Sequence, residues 1–314
     1  MATRGRPGRG WLDRIRRRAS SETADGPQPP IRPRVAVVTD SAASLRASDI
    51  ERWASVVRVV PMPVMIDGQI FTEGHDDAAA ALAHGLAAAV RISTSRPAPG
   101  VFARCYRDLL AEGFEAVVSI HLSGELSGTA EAARAAAREV DGEVRVVDTR
   151  TVGMAEGFAV LDAAEAASSG LAAEEVEAAA RRGEAGMINF VLPTLEQLRR
   201  GGRITLAASV LGTLLSVKPI LTLNHGRIEI REKARSTSRA VDRLVELSRQ
   251  RALECERETG RKPRVAIHSY GSGEVGQELA HELAAFAREE VVLVDLPAVL
   301  AAHTGAGVVA VVVR

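Results

Sequence analysis

Residues 92–129 of the sequence read ISTSRPAPGVFARCYRDLLAEGFEAVVSIHLSGELSGT. This stretch begins and ends with clusters of hydroxyl residues and glycine, at 92–102 and 121–129, and each cluster leads into a predicted helix. A helix predicted at 100–112 and a buried strand predicted at 116–120 lie between the clusters. Small hydroxyl residues and free backbone N–H groups at a helix N-terminus favour anion binding. Two such segments that converge would hold one carboxylate or phosphate.

The alternation of strand and helix extends to both sides of this stretch. Apolar runs predict strands at 35–38, 56–60, 116–120 and 143–148, and helices are predicted at 76–89, 100–112, 127–139 and 154–168. Residues 64–71 are predicted to form a hairpin, because Asp67-Gly68 is a favoured two-residue turn. Strands and helices that alternate through short connections form a mostly parallel sheet covered by helices.

The second half of the sequence predicts a mixed sheet with helices. Helices are predicted at 172–185, from 194, at 206–214, 236–258 and 274–288, and strands at 187–191, 218–223, 227–231, 264–268, 291–294 and 307–312. Gly170 and the acidic stretch after it indicate a domain junction. We therefore predict an α/β protein with a disordered basic tail at 1–33, an α/β domain at 34–170 and a smaller mixed-sheet α/β domain at 171–314, with the ligand at their interface.

Composition excludes several classes of protein. Only 3% of the residues are aromatic and the formal net charge is zero, which argues against a nucleic-acid partner. No run of 18 apolar residues occurs, so the sequence predicts no membrane-spanning helix. The arginine-rich N-terminal segment contains Trp11, Leu12 and Ile15, which allow at most a transient contact with anionic lipid.

The two cysteines also bear on location. Cys105 and Cys255 are far apart and match no metal-binding or redox spacing. Two reduced thiols are typical of a cytoplasmic protein, and this is the location that we expect. We predict no metal site.

Short motifs follow one another in a specific order along residues 35–314. They are Val38-Thr39-Asp40-Ser41, Val60-Pro61-Met62-Pro63-Val64, Thr94-Ser95-Arg96-Pro97-Ala98-Pro99-Gly100, Leu126-Ser127-Gly128-Thr129, Val147-Asp148-Thr149, Leu195-Glu196-Gln197-Leu198-Arg199-Arg200-Gly201-Gly202-Arg203-Ile204, Lys218-Pro219-Ile220, Lys233-Ala234-Arg235 and His303-Thr304-Gly305. In this order and spacing, the set resembles the DegV family of bacterial fatty-acid-binding proteins. Each motif alone is weak, and the ordered set is specific.

The resemblance implies a two-domain α/β protein that binds one long-chain fatty acid. The acyl chain would lie in an apolar tunnel of the first domain, with the carboxylate near the domain interface. In several bacteria such proteins are binding subunits of a fatty-acid kinase, in which a separate chain uses ATP to convert the carboxylate to acyl phosphate for phospholipid synthesis. The implied function is that of a lipid carrier with no catalytic centre and no cofactor of its own.

The resemblance and the hydroxyl clusters together predict the head-group ligands. Ser95 and Ser127 are the main predicted carboxylate ligands, with Thr94 beside them and the backbone N–H of Gly128 as a further donor. His303 is predicted to donate to a carboxylate or phosphoryl oxygen. The alternative for each serine is a helix cap, and for the histidine a structural role near a glycine turn.

Two arginines are predicted to face the partner. The guanidinium groups of Arg203 and Arg235 suit phosphate, and the resemblance suggests that they face the kinase or close the site. The alternatives are capping of helix carbonyls for Arg203, and a surface ion pair with Glu229 or Glu232 for Arg235.

The sequence departs from the family pattern at two places. The family usually has glutamine and serine at the positions of Arg96 and Ala98, and its usual His-x-Gly-Pro-Gly reads His303-Thr304-Gly305-Ala306-Gly307 here. We expect the added charge at Arg96 to alter the entrance of the site or the partner-facing surface.

Two other functions compete with lipid binding. Gly271, Gly273 and Gly276 form a G-x-G-x-x-G that follows a predicted strand, and Asp295 ends the next one, which is the form of a dinucleotide-binding fingerprint. The structural alternative is a glycine-rich turn between a strand and a helix. The sequence shows no second half of a dinucleotide-binding site.

A hydrolase is the other competing function. It would use Ser127, His303 and Asp148 as a triad. No G-x-S-x-G motif accompanies these residues, and Ser127 lacks the flanking glycines that such a nucleophile requires.

Overall fold

Residues 33–74, 76–182, 186–204 and 217–314 are described in the computed structural model of the chain. Nearly all of the predicted basic tail and the helix predicted at 206–214 lie outside these residues.

The first half of the chain alternates strands and helices, as predicted. Its elements are β1 (Val35–Asp40), α1 (Ala47–Arg52), β2 (Val57–Val60), β3 (Pro63–Ile66), β4 (Gln69–Thr72), α2 (Ala78–Ala87), β5 (Ile92–Thr94), α3 (Pro99–Ala111), β6 (Ala116–His121), α4 (Thr129–Ala137), β7 (Glu143–Asp148), α5 (Met154–Ser168) and α6 (Ala173–Arg181).

The second half contains more antiparallel strands. Its elements are β8 (Met187–Val191), α7 (Glu196–Arg200), β9 (Lys218–Asn224), β10 (Arg227–Ala234), α8 (Thr237–Thr259), β11 (Val265–Tyr270), α9 (Gly273–Leu283), β12 (Val292–Asp295), α10 (Ala298–Thr304) and β13 (Val308–Val313). The helix predicted at 274–288 ends five residues early, in a 3₁₀ turn at Ala284–Phe286.

The first sheet has the strand order β2-β1-β6-β7, and all neighbouring strands are parallel. Every residue of β1 and β6 is buried, as expected for strands that are covered on both faces. Because successive side chains point to opposite faces, Val35 and Val37 lie in the core with α5 and α6, and Ala36 and Val38 lie in the core with α3 and α4. The predicted parallel sheet flanked by helices is confirmed.

The second sheet has the order β10-β9-β8-β13-β11-β12 and is mixed, because only the pair β11–β12 is parallel. Its outer face packs against α8 and α9, where Leu244 and Ile267 share a core. Its inner face packs towards the first half, where Ile188 and Val312 share a core with Phe158 of α5. The predicted mixed sheet is confirmed.

A third, smaller sheet has the order β4-β3-β5. The predicted hairpin forms its first two strands, and Asp67 and Gly68 have the positive φ angles, 48° and 80°, that the turn requires. Two elements are not expected from the sequence pattern, namely β5, which ends at Thr94, and α10, which packs against this sheet. His303 therefore lies in the last turn of a helix.

Helix α5 connects the two halves of the chain. The carboxylate of Asp162 on α5 accepts hydrogen bonds at 2.6 Å from both Arg264 and Arg314 of the second half. Arg264 also stacks over the ring of Phe158, with its guanidinium carbon 4.5 Å from the ring centroid. Burial lowers the pKa of Arg314 to about 10, and the nearby charge of Asp162 opposes this shift.

Pro33–Arg314 form one compact unit. Helix α6, which follows the predicted boundary at residue 170, packs against the first sheet through Val176 and Ala180. The position of a domain boundary within this unit stays a prediction.

Replacing Asp162 should destabilise the fold. We expect Asp162→Ala to lower the free energy of unfolding by about 2 kcal/mol, because two half-buried guanidinium groups lose their shared partner. Urea denaturation measures the change. Glu246→Ala, which removes an exposed ion pair with Arg243, is the matched control and should change stability by less than about 0.5 kcal/mol. Equal effects of the two substitutions would show that Asp162 does not join the halves.

Candidate functional site

An apolar cavity lies between the two halves of the chain. The space between its walls is about 760 Å³ when the open solvent at its mouth is included. The described residues that line it are Met62, Thr94, Leu122, Leu126, Ser127, Val152, Gly153, Ile188, Phe190, Leu198, Arg203, Leu223, Ile228, His268, Leu296, Val299, Leu300, His303, Thr304, Val308 and Ala310. Most of them belong to the second half, whereas the resemblance placed the tunnel in the first domain.

The cavity lies at the point where the strand order of the first sheet reverses. The chain leaves β1 for β2 on one side, and β6 lies on its other side. Ligands of open α/β sheets bind at the carboxyl ends of the strands at such a point. Leu122, which directly follows β6, lines the cavity. Asp40 at the end of β1 accepts hydrogen bonds from the backbone N–H groups of Ala42 and Leu122, and in this way it organises this edge.

Thr94 and His303 form the first polar contact of the cavity wall. The hydroxyl of Thr94 lies 2.8 Å from Nε2 of His303, which joins the end of β5 to α10. Burial, with a smaller contribution from the charge of Arg203, lowers the pKa of His303 to about 4. The imidazole is therefore neutral at pH 7 and acts as a hydrogen-bonding group without a formal charge.

Arg203 lies in the cavity wall rather than on an outer surface. Its Nε donates to the carbonyl of Leu126 at 3.1 Å, and Nη1 donates to the carbonyl of Gly201. The side chain thus caps a carbonyl after α7, as the alternative interpretation expected, and it also bridges the two halves. A guanidinium has five N–H groups, and the described residues accept two of those of Arg203.

Neither predicted serine caps a helix. The N-cap of α3 is Ala98 and that of α4 is Gly128, and neither has a side-chain cap. Ser127 lines the cavity, and its hydroxyl lies 2.8 Å from that of Thr129. Ser95 is exposed and outside the described lining, and its backbone N–H donates to the carbonyl of Pro63.

Gly128 allows a close approach by Arg96. A Cβ at position 128 would lie 2.5 Å from Nη1 of Arg96, so the guanidinium occupies the space that a side chain would take. The backbone N–H of Gly128 donates to no residue in the described part of the chain. Thr94, Ser127 and Arg203 therefore all line the cavity, and Gly128 follows Ser127 in the chain but is not among the lining residues.

Arg235 lies apart from this group. It is exposed in the connection between β10 and α8 and does not line the cavity. The ion pair with Glu229 or Glu232 that the alternative interpretation expected is absent, because Glu232 pairs with Arg243 and Glu229 accepts from Asn224.

His268 lies in a different part of the cavity wall, beside Gly153 and the start of α5. Its Nε2 accepts the backbone N–H of Met154 at 2.9 Å, and this hydrogen bond links β11 to the start of α5. Gly153 has φ +65°, and a Cβ there would lie 2.9 Å from the same nitrogen. Burial lowers the pKa of His268 to about 4. A hydrogen-bonding interaction with the backbone of Val294 raises this pKa by a smaller amount. Sequence reasoning did not identify His268 as a lining residue.

The residues of the competing triad do not form a relay. Ser127 contacts Thr129, His303 contacts Thr94, and Asp148 accepts from the backbone N–H groups of Gly124 and Arg150. A different serine, histidine and aspartate are connected, but they are buried in the first sheet.

This buried array runs through hydrogen bonds of 2.7 to 2.9 Å. Tyr106 donates to Ser119, Ser119 contacts Nε2 of His121, and Nδ1 of His121 contacts Asp40. All four side chains have no exposed surface. No substrate reaches this serine, so the array is a structural network.

The glycine-rich turn is also filled by protein. A Cβ at Gly271 would contact Ala306 and Gly307, and the hydroxyl of Ser272 donates to the carbonyl of Val308. Gly276 packs against Ser269 within the domain. This packing favours a structural turn over a dinucleotide site.

The described residues contain neither a membrane-spanning helix nor a cluster of side chains that could hold a metal ion. Among residues 33–74, 76–182, 186–204 and 217–314, no helix has the length and apolar character to cross a membrane. In the same residues, no group of three or more His, Cys, Asp or Glu side chains is arranged to hold a metal ion.

Comparison with known proteins gives one family. A sequence model described as the DegV family matches residues 34–314. A DegV domain-containing protein of Streptomyces coelicolor is 42% identical over 286 residues, which cover 89% of this chain and 98% of that protein. A DegV domain-containing protein of Mycobacterium bovis is 32% identical over 283 residues, which cover 89% of this chain and 96% of that protein.

Two solved structures have the same fold. A DegV family protein from Thermus thermophilus, described by its fatty acid binding, has a TM-score of 0.81 at 36% identity and covers 90% of this chain and 99% of its own. DegV from Bacillus subtilis, described as a fatty acid binding protein, has a TM-score of 0.78 at 29% identity and covers 89% of this chain and 98% of its own. These likenesses confirm the predicted fold class.

The neutral state of the buried histidines predicts a loss of stability in acid. Between pH 6.5 and 4 the unfolded state binds more protons than the folded state, because the folded pKa of His268 is about 4. From pH 7 to pH 5 the free energy of unfolding of the wild type should therefore fall by about 1–2 kcal/mol more than that of His268→Gln. Chemical denaturation at both pH values measures the difference.

Glutamine retains an acceptor for the Met154 N–H but does not titrate, which isolates the effect of protonation. His84→Gln, at an exposed position of α2, is the control and should keep the wild-type pH dependence. If the free energy of unfolding depends on pH in the same way for the wild type and for His268→Gln, the lowered pKa of His268 in the folded state would be contradicted.

Proposed function

The chain belongs to the DegV family, and from this premise we propose that it binds one long-chain fatty acid and presents the carboxylate to a separate ATP-dependent kinase, which forms acyl phosphate. The observation that carries the proposal is an apolar cavity whose wall includes Thr94, Ser127, Arg203 and His303. The similar proteins from Thermus thermophilus and Bacillus subtilis, both described by fatty acid binding, support it.

The apolar part of the cavity accounts for affinity. Leucine, isoleucine, valine and phenylalanine side chains from both halves line it. Burial of a hydrocarbon chain contributes about 0.8 kcal/mol per CH₂, so a C16 chain contributes on the order of 10 kcal/mol before the cost of ordering it. The tail therefore supplies most of the binding free energy.

The polar part of the cavity wall accounts for orientation. A carboxylate accepts up to four hydrogen bonds, and the available donors are the hydroxyls of Thr94 and Ser127, the backbone N–H of Gly128, the imidazole of His303 and the free N–H groups of Arg203. Charge-assisted bonds of this kind contribute about 1.5–3 kcal/mol each. In this proposal Thr94, and not Ser95, is the hydroxyl ligand of the carboxylate from this segment, because Ser95 is exposed.

Phosphorylation is assigned to a second protein. In the described residues, His303 has Nδ1 against Gly201 and no carboxylate orients it, so the cavity wall lacks the third member of a nucleophile–base relay. A P-loop sequence is absent from the chain. Arg235 is exposed and forms no ion pair within the described residues, which suits a surface that meets an anionic partner or nucleotide.

The wild-type protein should retain a long-chain fatty acid through purification, and Thr94→Val should weaken its binding about tenfold, since one hydroxyl is lost at the head group. Mass spectrometry of an organic extract identifies the lipid, and displacement of a fluorescent fatty acid gives the affinity. A cavity that carries and binds no fatty acid would refute the proposed function.

Ser95→Ala separates the two possible hydroxyl ligands. Because Ser95 is exposed, we expect the affinity of the Ser95→Ala variant for the fatty acid to stay within about twofold of that of the wild type. A loss as large as that of Thr94→Val would restore Ser95 to the head-group site.

Arg235→Ala should leave fatty-acid binding unchanged and lower the rate of acyl phosphate formation by the kinase from the same genome. The physical reason is that the residue lies outside the cavity and presents a free positive charge. The assay measures acyl hydroxamate formed with ATP and hydroxylamine. Arg104→Ala, another exposed arginine, is the control, and an equal rate for the two variants would place the kinase elsewhere.

A further inference from the structure

A second cavity, which we call the edge groove, opens beside the last strand of the mixed sheet. The space between its walls is about 950 Å³ when the open solvent at its mouth is included. The described residues that line it are Asp40, Ser41, Ser44, Leu45, Ile50, Val59, Pro61, Glu73, Gly74, Val294, Asp295 and Pro297. None of these residues lines the apolar cavity described above, so the two cavities have separate walls.

Strand β12 forms an open edge in this groove. Among the described residues it pairs only with β11. The backbone N–H of Leu296, directly after the strand, donates to the carbonyl of Ser269 in β11. Because alternate residues of a strand direct their backbone groups to the same side, those of Val294 also face β11, and those of Leu293 and Asp295 face away from it. The N–H and C=O groups of Leu293 and Asp295 are therefore available at the edge.

The walls of the edge groove are negatively charged. They include the carboxyl groups of Asp40, Glu73 and Asp295, and the described lining contains no lysine, arginine or histidine. Asp40 is buried and paired with His121, whereas Asp295 is exposed and has no ion pair in the described part of the chain. Burial raises the pKa of Glu73, and a cation beside it would favour its ionised form. A positively charged partner complements these walls.

Another part of the groove wall is apolar. Leu45, Ile50 and Val59 supply it from the first half of the chain. Few large apolar side chains of the described residues are exposed, and two of them lie here, because Ile50 is 38% exposed and Leu293 on β12 is 44% exposed. Exposed apolar side chains with a polar rim are typical of a protein interaction surface.

The other edge of the same sheet shows what a protected edge is like. Strand β10 exposes four charged side chains of both signs, those of Arg227, Glu229, Arg231 and Lys233, and its apolar residues are half-buried. Charges of this kind prevent sheet edges from pairing with other chains. Strand β12 instead combines an exposed leucine, carboxylates of a single sign and a concave surface, which protection alone does not require.

We propose that the edge groove binds an extended segment of a partner protein, in which basic and aliphatic residues alternate, by strand addition to β12. Main-chain hydrogen bonds to Leu293 and Asp295 would hold the segment, and its alternate side chains would point to opposite faces. Basic side chains would meet the carboxylates of Asp295 and Glu73, and aliphatic side chains would meet the apolar wall around Ile50. This interaction goes beyond the proposed function and does not use the lipid cavity.

Fluorescence anisotropy of a labelled RVRVRV peptide, titrated with the full-length chain, measures this interaction. We expect an affinity in the micromolar range that weakens as salt is added. Asp295→Asn should weaken binding about fivefold, because the exposed carboxylate of the groove is lost. Glu139→Gln removes an exposed carboxylate outside the groove and should change the affinity less than about twofold. A labelled EVEVEV peptide should not bind.

Methylation of the peptide backbone tests strand addition directly. In an added strand, the N–H groups of alternate residues face β12 and the others face solvent. Methylation of the first set should weaken binding about tenfold or more, and methylation of the second set about twofold or less. Equal losses for the two methylated peptides would show that the segment does not add to the sheet.

Three further results would overturn the proposal. Equal weakening by Asp295→Asn and Glu139→Gln would show attraction to net charge alone. Displacement of the peptide by hexadecanoate would place the peptide in the lipid cavity. A dimer of the chain alone in sedimentation experiments, if Leu293→Lys dissociates it, would assign the edge to a second copy of the chain. Peptide binding that persists with hexadecanoate bound supports the edge groove as a separate site.

Discussion

The cavity exists only where the two halves of the chain meet, so the contacts between them determine whether there is a site at all. Asp162 of α5 accepts hydrogen bonds from Arg264 and Arg314, and His268 accepts the first N–H of the same helix at Met154. The opposite face of α5 packs on the first sheet. One helix therefore positions both halves of the chain. Its polar contacts fix the orientation of the halves relative to each other, because hydrogen bonds are directional. The apolar cores on either side of the helix supply the free energy that holds the halves together.

This arrangement divides binding between two kinds of surface. The inner face of the second sheet supplies apolar wall, and loops after β5 and β6 supply polar groups together with α10 and the segment after α7. Apolar burial is non-directional and scales with area, so it favours any chain of suitable length. Hydrogen bonds are directional, so in the proposed function Thr94, Ser127 and His303 would orient the head group of the ligand. The acyl chain and the head group would then be recognised by separate parts of the protein.

Much of this could be predicted from the sequence, for physical reasons that also mark the limits. Strands such as β1 and β6 are continuous apolar runs between turn residues, and Thr94, Ser127 and His303, which the ordered motifs contain, all line one cavity. Sequence periodicity does not show which apolar side chains face a cavity rather than a core. For this reason the pattern does not predict that most of the cavity-lining residues come from the second half of the chain. Nor does it give rotamers. The adjacent Thr94 and Ser95 point to opposite sides of a strand end, and only one of them lines the cavity.

Hydrogen-bonded serine, histidine and aspartate do not by themselves make a catalytic centre. In this chain, Ser119, His121 and Asp40 have the order of such a relay but no access to a substrate, since all three side chains are fully buried. The cavity wall has access but lacks the relay, because Thr94 and His303 pair without an orienting carboxylate in the described residues. An acid group bound as proposed would therefore meet the hydroxyls of Thr94 and Ser127 and the charge of Arg203, which would hold and orient it. In the proposed function, this separation of access from relay geometry is the physical reason to assign the bond-forming step to a second protein.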